Sequence, residues 1–178
     1  MKARTALRTG TRAEHNRVDA LFAAFDLTTP DGYRRFLLAQ AAAFLPVERA
    51  LDEAGAQNIV SDWPARRRSA LLEADLIALD ETVPEQVAAP FFSSPASVLG
   101  GVYVLEGSRL GGALLKRGLP AGSPRRFLDA PQNAGSWRKL LENLDASLYR
   151  ADDLAAAVKA AREVFQRFEA GGQRYLET

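Results

Sequence analysis

Apolar residues recur at spacings of three and four along most of the chain, the rhythm of helices with one inward face. Leu7, Thr11, His15, Val18, Phe22 and Phe25 draw such a face on a first helix from about Ala3 to Phe25. Thr29 and Pro30 read as the cap and first position of a second helix. Its buried side carries Tyr33, Phe36, Leu37, Gln40, Phe44, Val47 and Leu51. Pro46 is expected to kink or split that helix and Gly55 to end it. A third helix starts at Asp62 to Pro64 and buries Leu71, Leu72, Leu76 and Leu79. Residues 80–93, with Pro84 and Pro90, form a loop. A helix then runs from Pro95 to near Gly118, and residues 119–135 form an irregular connection. Ser136 opens a helix holding Trp137, Leu140, Leu141, Leu144 and Leu148. The last helix, from Asp152, buries Leu154, Val158, Ala161, Phe165 and Phe168, and Gly171-Gly172 should loosen its end. No stretch alternates with the period of a strand. The expectation is an all-α bundle of about six or seven helices, a single domain over residues 1–178.

The helix after Ser94-Pro95 contains five glycines: Gly100, Gly101, Gly107, Gly111 and Gly112. Each costs roughly 0.8–1 kcal/mol against alanine in a helix interior, on the order of 4 kcal/mol together. Gly100, Val104, Gly107 and Gly111 share a face on a helical wheel, with Ser108 beside it. So bare a face suits either close helix packing or the close approach of something flat. This stretch alone leaves both readings open.

Composition narrows the chemistry. Over 178 residues, 47% hydrophobic and 25% charged with net charge +1, the chain is ordinary for a globular domain and lacks the strongly basic balance of a nucleic-acid binder. No apolar run has signal-peptide or membrane-span length, so a soluble, cytoplasmic protein is expected. There is no cysteine, which excludes disulfides, thiolate metal sites and a cysteine nucleophile. His15 is the only histidine and Met1 the only methionine. His15 is therefore either a core histidine with a hydrogen-bonding neighbour or the one conventional soft or imidazole ligand for a transition metal. Around it, Lys2, Arg4, Arg8, Arg12 and Arg17 stand against Glu14 alone, a solvated face or an anion-binding edge. Arg66, Arg67 and Arg68 read as the solvated face of the third helix.

The run Leu7-Arg8-Thr9-Gly10-Thr11-Arg12-Ala13-Glu14-His15-Asn16-Arg17-Val18-Asp19 resembles the proximal helix of haem oxygenases. Tyr103-Val104-Leu105-Glu106-Gly107-Ser108-Arg109-Leu110-Gly111-Gly112 is similar to the distal helix of bacterial, biliverdin-producing members. Trp137-Arg138 and the closing helix with Phe165 and Phe168 extend the resemblance over essentially the whole chain.

The resemblance implies an oxygen-dependent oxidoreductase that binds haem as substrate and opens it, with reducing equivalents, to biliverdin, carbon monoxide and ferrous iron. It implies His15 as the iron ligand, with the sixth position left for oxygen. It places Gly107, Ser108, Gly111 and Gly112 in the catalytic role, their backbone over the iron, pressing bound oxygen toward a meso carbon. Arg8 and Arg138, with Arg12 or Tyr103 weaker, are implied as partners of the haem carboxylates, and Phe165 as part of the pocket. Mammalian members carry an aspartate where Ser108 stands; a serine hydroxyl can hold the ordering water instead. A ferredoxin- or reductase-type electron donor and a downstream bilin-binding photoreceptor are the implied partners, with no nucleic acid and no membrane. Thiamine-degrading hydrolases share the architecture but need the cysteine this chain lacks. A haem carrier or sensor without turnover is the alternative.

Overall fold

The computed structural model describes residues 2–131 and 135–176. Among them the chain forms seven α-helices, one single α-helical turn and two short 3-10 turns (Ala56–Asn58 and Lys116–Gly118), with no strand. They are α1 Ala3–Gly10, α2 Arg12–Ala23, α3 Pro30–Glu53, the turn α4 Trp63–Arg66, α5 Ser69–Ala78, α6 Pro95–Leu115, α7 Ser136–Ser147 and α8 Ala151–Leu176. The all-α architecture expected from the periodicity is the one observed. Helix α8 is the common neighbour: α1, α2, α3 and α6 all pack on it. Phe36, Leu37, Phe44 and Leu51 of α3 meet Leu99 and Leu105 of α6 and Val164 of α8 in one buried core.

Local chemistry starts the long helices where the sequence says they should start. Thr29 Oγ1 accepts the Gly32 N–H at 3.1 Å, with Pro30 at the first position of α3. Ser94 and Ser97 form a reciprocal capping box at the head of α6.

Pro46 does not split α3, which runs unbroken to Glu53. A proline inside a helix leaves the carbonyl four residues back without its partner. Here that carbonyl, Ala42 O, accepts the Val87 N–H at 2.9 Å. The loop over residues 80–93 is docked onto α3 by the bond the helix cannot make.

The first expected helix is two helices. The chain bends at Gly10-Thr11, where α8 fills the space: a Cβ on Gly10 would lie 2.7 Å from Val158. Arg162 Nε donates to Gly10 O at 2.7 Å, and Thr11 Oγ1 donates to Leu7 O at 2.7 Å. The third expected helix is also divided, into α4 and α5. Glu48 of α3, fully buried, accepts the N–H groups of Arg68 and Ser69 at 2.8 and 2.9 Å. A carboxylate there satisfies orphan donors at the start of α5 and favours the positive end of its dipole.

Gly171-Gly172 does not loosen α8, which stays helical to Leu176. A Cβ on Gly171 would come within 2.8 Å of Ala39 O, and one on Gly172 within 2.6 Å of Leu21. These glycines let α8 close on α3 and α2.

Arg66 and Arg68 are buried, not solvated; only Arg67 lies on the surface. The partner of Arg66 lies 40 residues downstream. Glu106 of α6, only 2% exposed, accepts from Arg66 Nη1 at 2.8 Å through Oε2 and from Arg109 Nη2 at 3.1 Å through Oε1. Arg66 also donates to both Asp62 oxygens, at 2.8 and 3.0 Å, and to Ser136 O at 2.9 Å. One carboxylate thus ties α6 to α4 and to the head of α7.

Two substitutions read this network. Glu106→Ala takes from the buried Arg109 its carboxylate partner and leaves Arg66 only Asp62, and should cost about 3 kcal/mol in denaturant unfolding. Asp62 behaves differently with pH. Burial alone would raise its carboxyl, but the hydrogen bonds and charge of Arg66 outweigh it and hold the group below its usual range. A carboxyl depressed in the folded protein contributes its stability in full above the unfolded value of about 3.9, and that contribution is lost as pH falls on through the lower folded value. Asp62→Asn should therefore cost about 1–2 kcal/mol at pH 7. That gap from wild type should narrow below about pH 4.

Candidate active site

The five glycines of α6 fall into two groups. A Cβ on Gly100 would run into the carbonyl of Ala157 on α8, and one on Gly101 would lie 2.7 Å from the Phe92 ring. For these two, close packing is the reason. Gly107 and Gly111 are different: a Cβ on Gly107 would meet only Trp137, at 3.8 Å, and one on Gly111 meets nothing within 4 Å. Gly112 is buried, its nearest neighbour Leu128 at 3.5 Å. Leu110 and Leu114 beside them are exposed. The second half of α6 therefore presents bare backbone and apolar side chains to an open side.

His15 stands on α2 with its side chain 56% exposed, not inward as the apolar stripe suggested. Leu7, Thr11, Phe22 and Phe25 of that stripe are buried and Val18 is half-buried. At the histidine, the interior is already occupied by Phe165 of α8. The imidazole lies edge-on to that ring, 5.6 Å between centroids at 86°. Its Nδ1 lies 3.2 Å from Oδ2 of Asp19, one turn on. An Nδ1–H turned to that carboxylate would leave Nε2 its lone pair, the arrangement in which a histidine binds a metal. Among the described residues no cluster of three or more His, Asp or Glu could cage an ion. A single imidazole suits a metal that arrives with its other ligands in place.

The basic residues of α1 and α2 also divide. Arg4 is tied to Asp145 of α7, and Arg17 to Glu169 of α8. Arg8 and Arg12 are exposed and have no ion-pair partner among the described residues. Arg8 faces Tyr103 of α6 closely enough for its charge to oppose the burial that raises the tyrosine hydroxyl. Tyr103 is stacked on Trp137 of α7, centroids 5.8 Å apart at 30°. Arg8, Tyr103 and Trp137 thus bring α1, α6 and α7 to one place. Arg138 is not drawn into that group: its side chain is 82% exposed, and Nε lies 3.8 Å from Glu142 on the same helix.

Ser108 is exposed beside the open glycines, and its hydroxyl donates to Leu105 O at 2.6 Å. Behind it, Arg68 Nη2 donates to Leu105 O at 2.6 Å and to Ser108 Oγ at 3.1 Å. Burial and the neighbouring charge of Arg109 lower the Arg68 guanidinium to about 10, so it stays charged at neutral pH. Arg68 and Asp19 are the site residues that the sequence reading did not single out. Asp19, four residues after the lone histidine, carried a usable signal; Arg68 carried none, being one of three adjacent arginines.

The chain matches the family model described as Heme oxygenase over residues 1–171. It is 34% identical over 114 residues to a heme oxygenase of Xanthomonas campestris, covering 61% of this chain and 68% of that protein. It is 27% identical over 168 residues to Heme oxygenase PigA of Pseudomonas aeruginosa, covering 89% and 85%. Its fold is like that of the NO- and CO-bound heme oxygenase from Neisseria meningitidis, with a TM-score of 0.85 at 24% identity over 99% of this chain and 93% of that one.

The division of the glycines predicts opposite effects on stability. Gly111→Leu meets open space and has the better helix propensity, so the haem-free protein should gain up to about 1 kcal/mol. Gly100→Leu drives a side chain into the Ala157 carbonyl and should lose at least the 1–3 kcal/mol (approximate) typical of overpacking. Thermal melts of the two variants, followed by circular dichroism, compare them directly.

Proposed function

Because this chain belongs to the haem oxygenase family, we propose that its open glycine face on α6 and His15 on α2 hold haem between them for oxidative opening. The enzyme binds haem as substrate and cleaves it with oxygen and reducing equivalents to biliverdin, carbon monoxide and ferrous iron. Bound haem supplies the iron at which dioxygen is reduced. The observation that carries the site assignment is the freedom of Gly107 and Gly111 from packing, on a helix whose other glycines are pinned.

Each residue then has a task suited to its surroundings. His15 Nε2 ligates the iron; Asp19 fixes the imidazole tautomer and raises its basicity through Nδ1. Phe165 supports the ring from below and limits its rotation. Arg8 and Arg12, without a carboxylate partner among the described residues, take the haem propionates, to which guanidinium is matched in a bidentate way. The Tyr103 hydroxyl adds a donor beside Arg8. Arg138 forms the outer anchor, exchanging its long contact with Glu142 for a propionate. Gly107, Gly111 and Gly112 keep side chains away from the distal side, so that substrate oxygen is confined by backbone. Ser108 orients a water there through its hydroxyl.

Residues 1–178 serve as one haem-cleaving domain in the cytoplasm. Among the described residues no helix is long and apolar enough to cross a membrane. Electrons come from a ferredoxin- or reductase-type donor, and a bilin-binding photoreceptor is a consumer of the product.

Turnover tests the site. Wild-type protein loaded with haem, given a ferredoxin-type or chemical reductant and oxygen, should lose its Soret band as biliverdin absorption grows, with release of carbon monoxide and iron. Gly111→Leu should still take up haem through His15 while biliverdin yield falls at least tenfold. A variant that turns haem over normally would remove the glycine face from the site. Soret loss that catalase abolishes, in the wild type, would make the protein a haem carrier.

A further inference from the structure

Arg68 is 4% exposed, yet neither neighbouring carboxylate pairs with it. Glu106 is committed to Arg66 and Arg109, and the two Glu48 oxygens to the backbone N–H groups of Arg68 and Ser69. The guanidinium instead lies over two aromatic rings, 4.9 Å from the Phe44 centroid and 5.0 Å from that of Phe127. Its Nε is buried without a hydrogen-bond partner. A cation buried on these terms is expensive unless its remaining contacts matter. Those contacts are two, both from Nη2: Leu105 O, and Ser108 Oγ at the open face of α6.

The Leu105 carbonyl is the key to what this does. Two side-chain donors compete for it, Arg68 Nη2 and the Ser108 hydroxyl, each at 2.6 Å. A hydroxyl rotates freely about its C–O bond and carries one donor with two acceptor sites. Because Arg68 already satisfies Leu105 O, Ser108 can release that carbonyl at little cost and turn its hydrogen outward. Its oxygen continues to accept from the cation, which polarises the O–H and strengthens it as a donor.

We propose that Arg68 is a positioning residue of this site, acting from behind α6 to make Ser108 a hydrogen-bond donor toward the distal face of bound haem. This inference rests on the reading that the Gly107–Gly111 face covers the haem. It goes beyond that reading by giving the serine's hydroxyl a direction and a source of charge. Ser108 then serves where a negatively polarised group has to be met on the distal side, a task a serine bonded only to its own helix carbonyl performs poorly.

Fluoride and imidazole binding to the ferric haem complex test it without turnover. Fluoride is anionic and needs a distal donor; imidazole is neutral and reports access alone. Ser108→Ala and Arg68→Met should each weaken fluoride binding about tenfold or more, as loss of a hydrogen bond to a charged group does. Imidazole affinity should be unchanged. The double variant should be no weaker than Ser108→Ala alone, because both remove the same donor. Arg68→Lys, with the charge but not the planar fork, should fall between wild type and Arg68→Met. Melting of the haem-free proteins separates a mere packing role. An Arg68→Met protein that melts earlier but binds fluoride normally would overturn the proposal. Should Arg68→Met not fold, Ser108→Ala and Arg68→Lys carry the same test, and normal fluoride binding by both would overturn it. If wild-type protein takes up no haem, the underlying reading fails and the relay with it, a result separate from the fluoride arm.

Discussion

Helix α6 can lie as it does against α8 only because Gly100 has no side chain. The Ala157 carbonyl occupies the place of its Cβ, and Gly101 is closed off the same way by Phe92. Six residues on, Glu106 is held between Arg66 and Arg109. These contacts fix the rotation of α6 about its own axis. From Gly107 onward one face of the helix, that of Gly107, Leu110, Gly111 and Leu114, turns to the open side. Packing in the first half is what keeps the open face of the second half at a constant orientation.

Charge is sorted in the same way. The buried carboxylates Glu48, Asp75 and Glu106 are each saturated by protein donors: Asp75 accepts from the backbone of Arg126 and Phe127 at 3.0 and 2.8 Å. Arg4 and Arg17 are consumed in holding α1 and α2 to α7 and α8. Among the described residues Arg8 and Arg12 are left without an ion-pair partner.

Much of this was legible in the sequence, and the gaps have physical causes. Period and capping residues placed the long helices, because Thr29-Pro30 and Ser94-Pro95 act on their own helix alone. The glycine cluster and the lone histidine stood out in the sequence because each is costly or unusual wherever it folds, and Gly107 and Gly111 are the glycines of α6 with no close packing partner. What failed depended on distant partners. Pro46 lies in an unbroken helix because Val87, far along the chain, takes up the freed carbonyl. Arg66 and Arg68 looked solvated because a sequence displays charge and not the Glu106 or Phe44 that receives it. His15 lay on an apolar stripe, yet the bend at Gly10 is imposed by Val158 and Arg162 of α8, and Phe165 had already filled the space beneath.

His15 is the proposed iron ligand on which the site depends, and the absorption spectrum of the ferric haem complex of His15→Ala tests that most directly. No second imidazole exists in the chain to replace it. The substituted protein should still take up haem, through Arg8, Arg12 and the α6 face, but without the imidazole-ligated spectrum of the wild type. Added imidazole should restore that spectrum. A His15→Ala protein that shows the wild-type spectrum with no imidazole present would contradict the assignment.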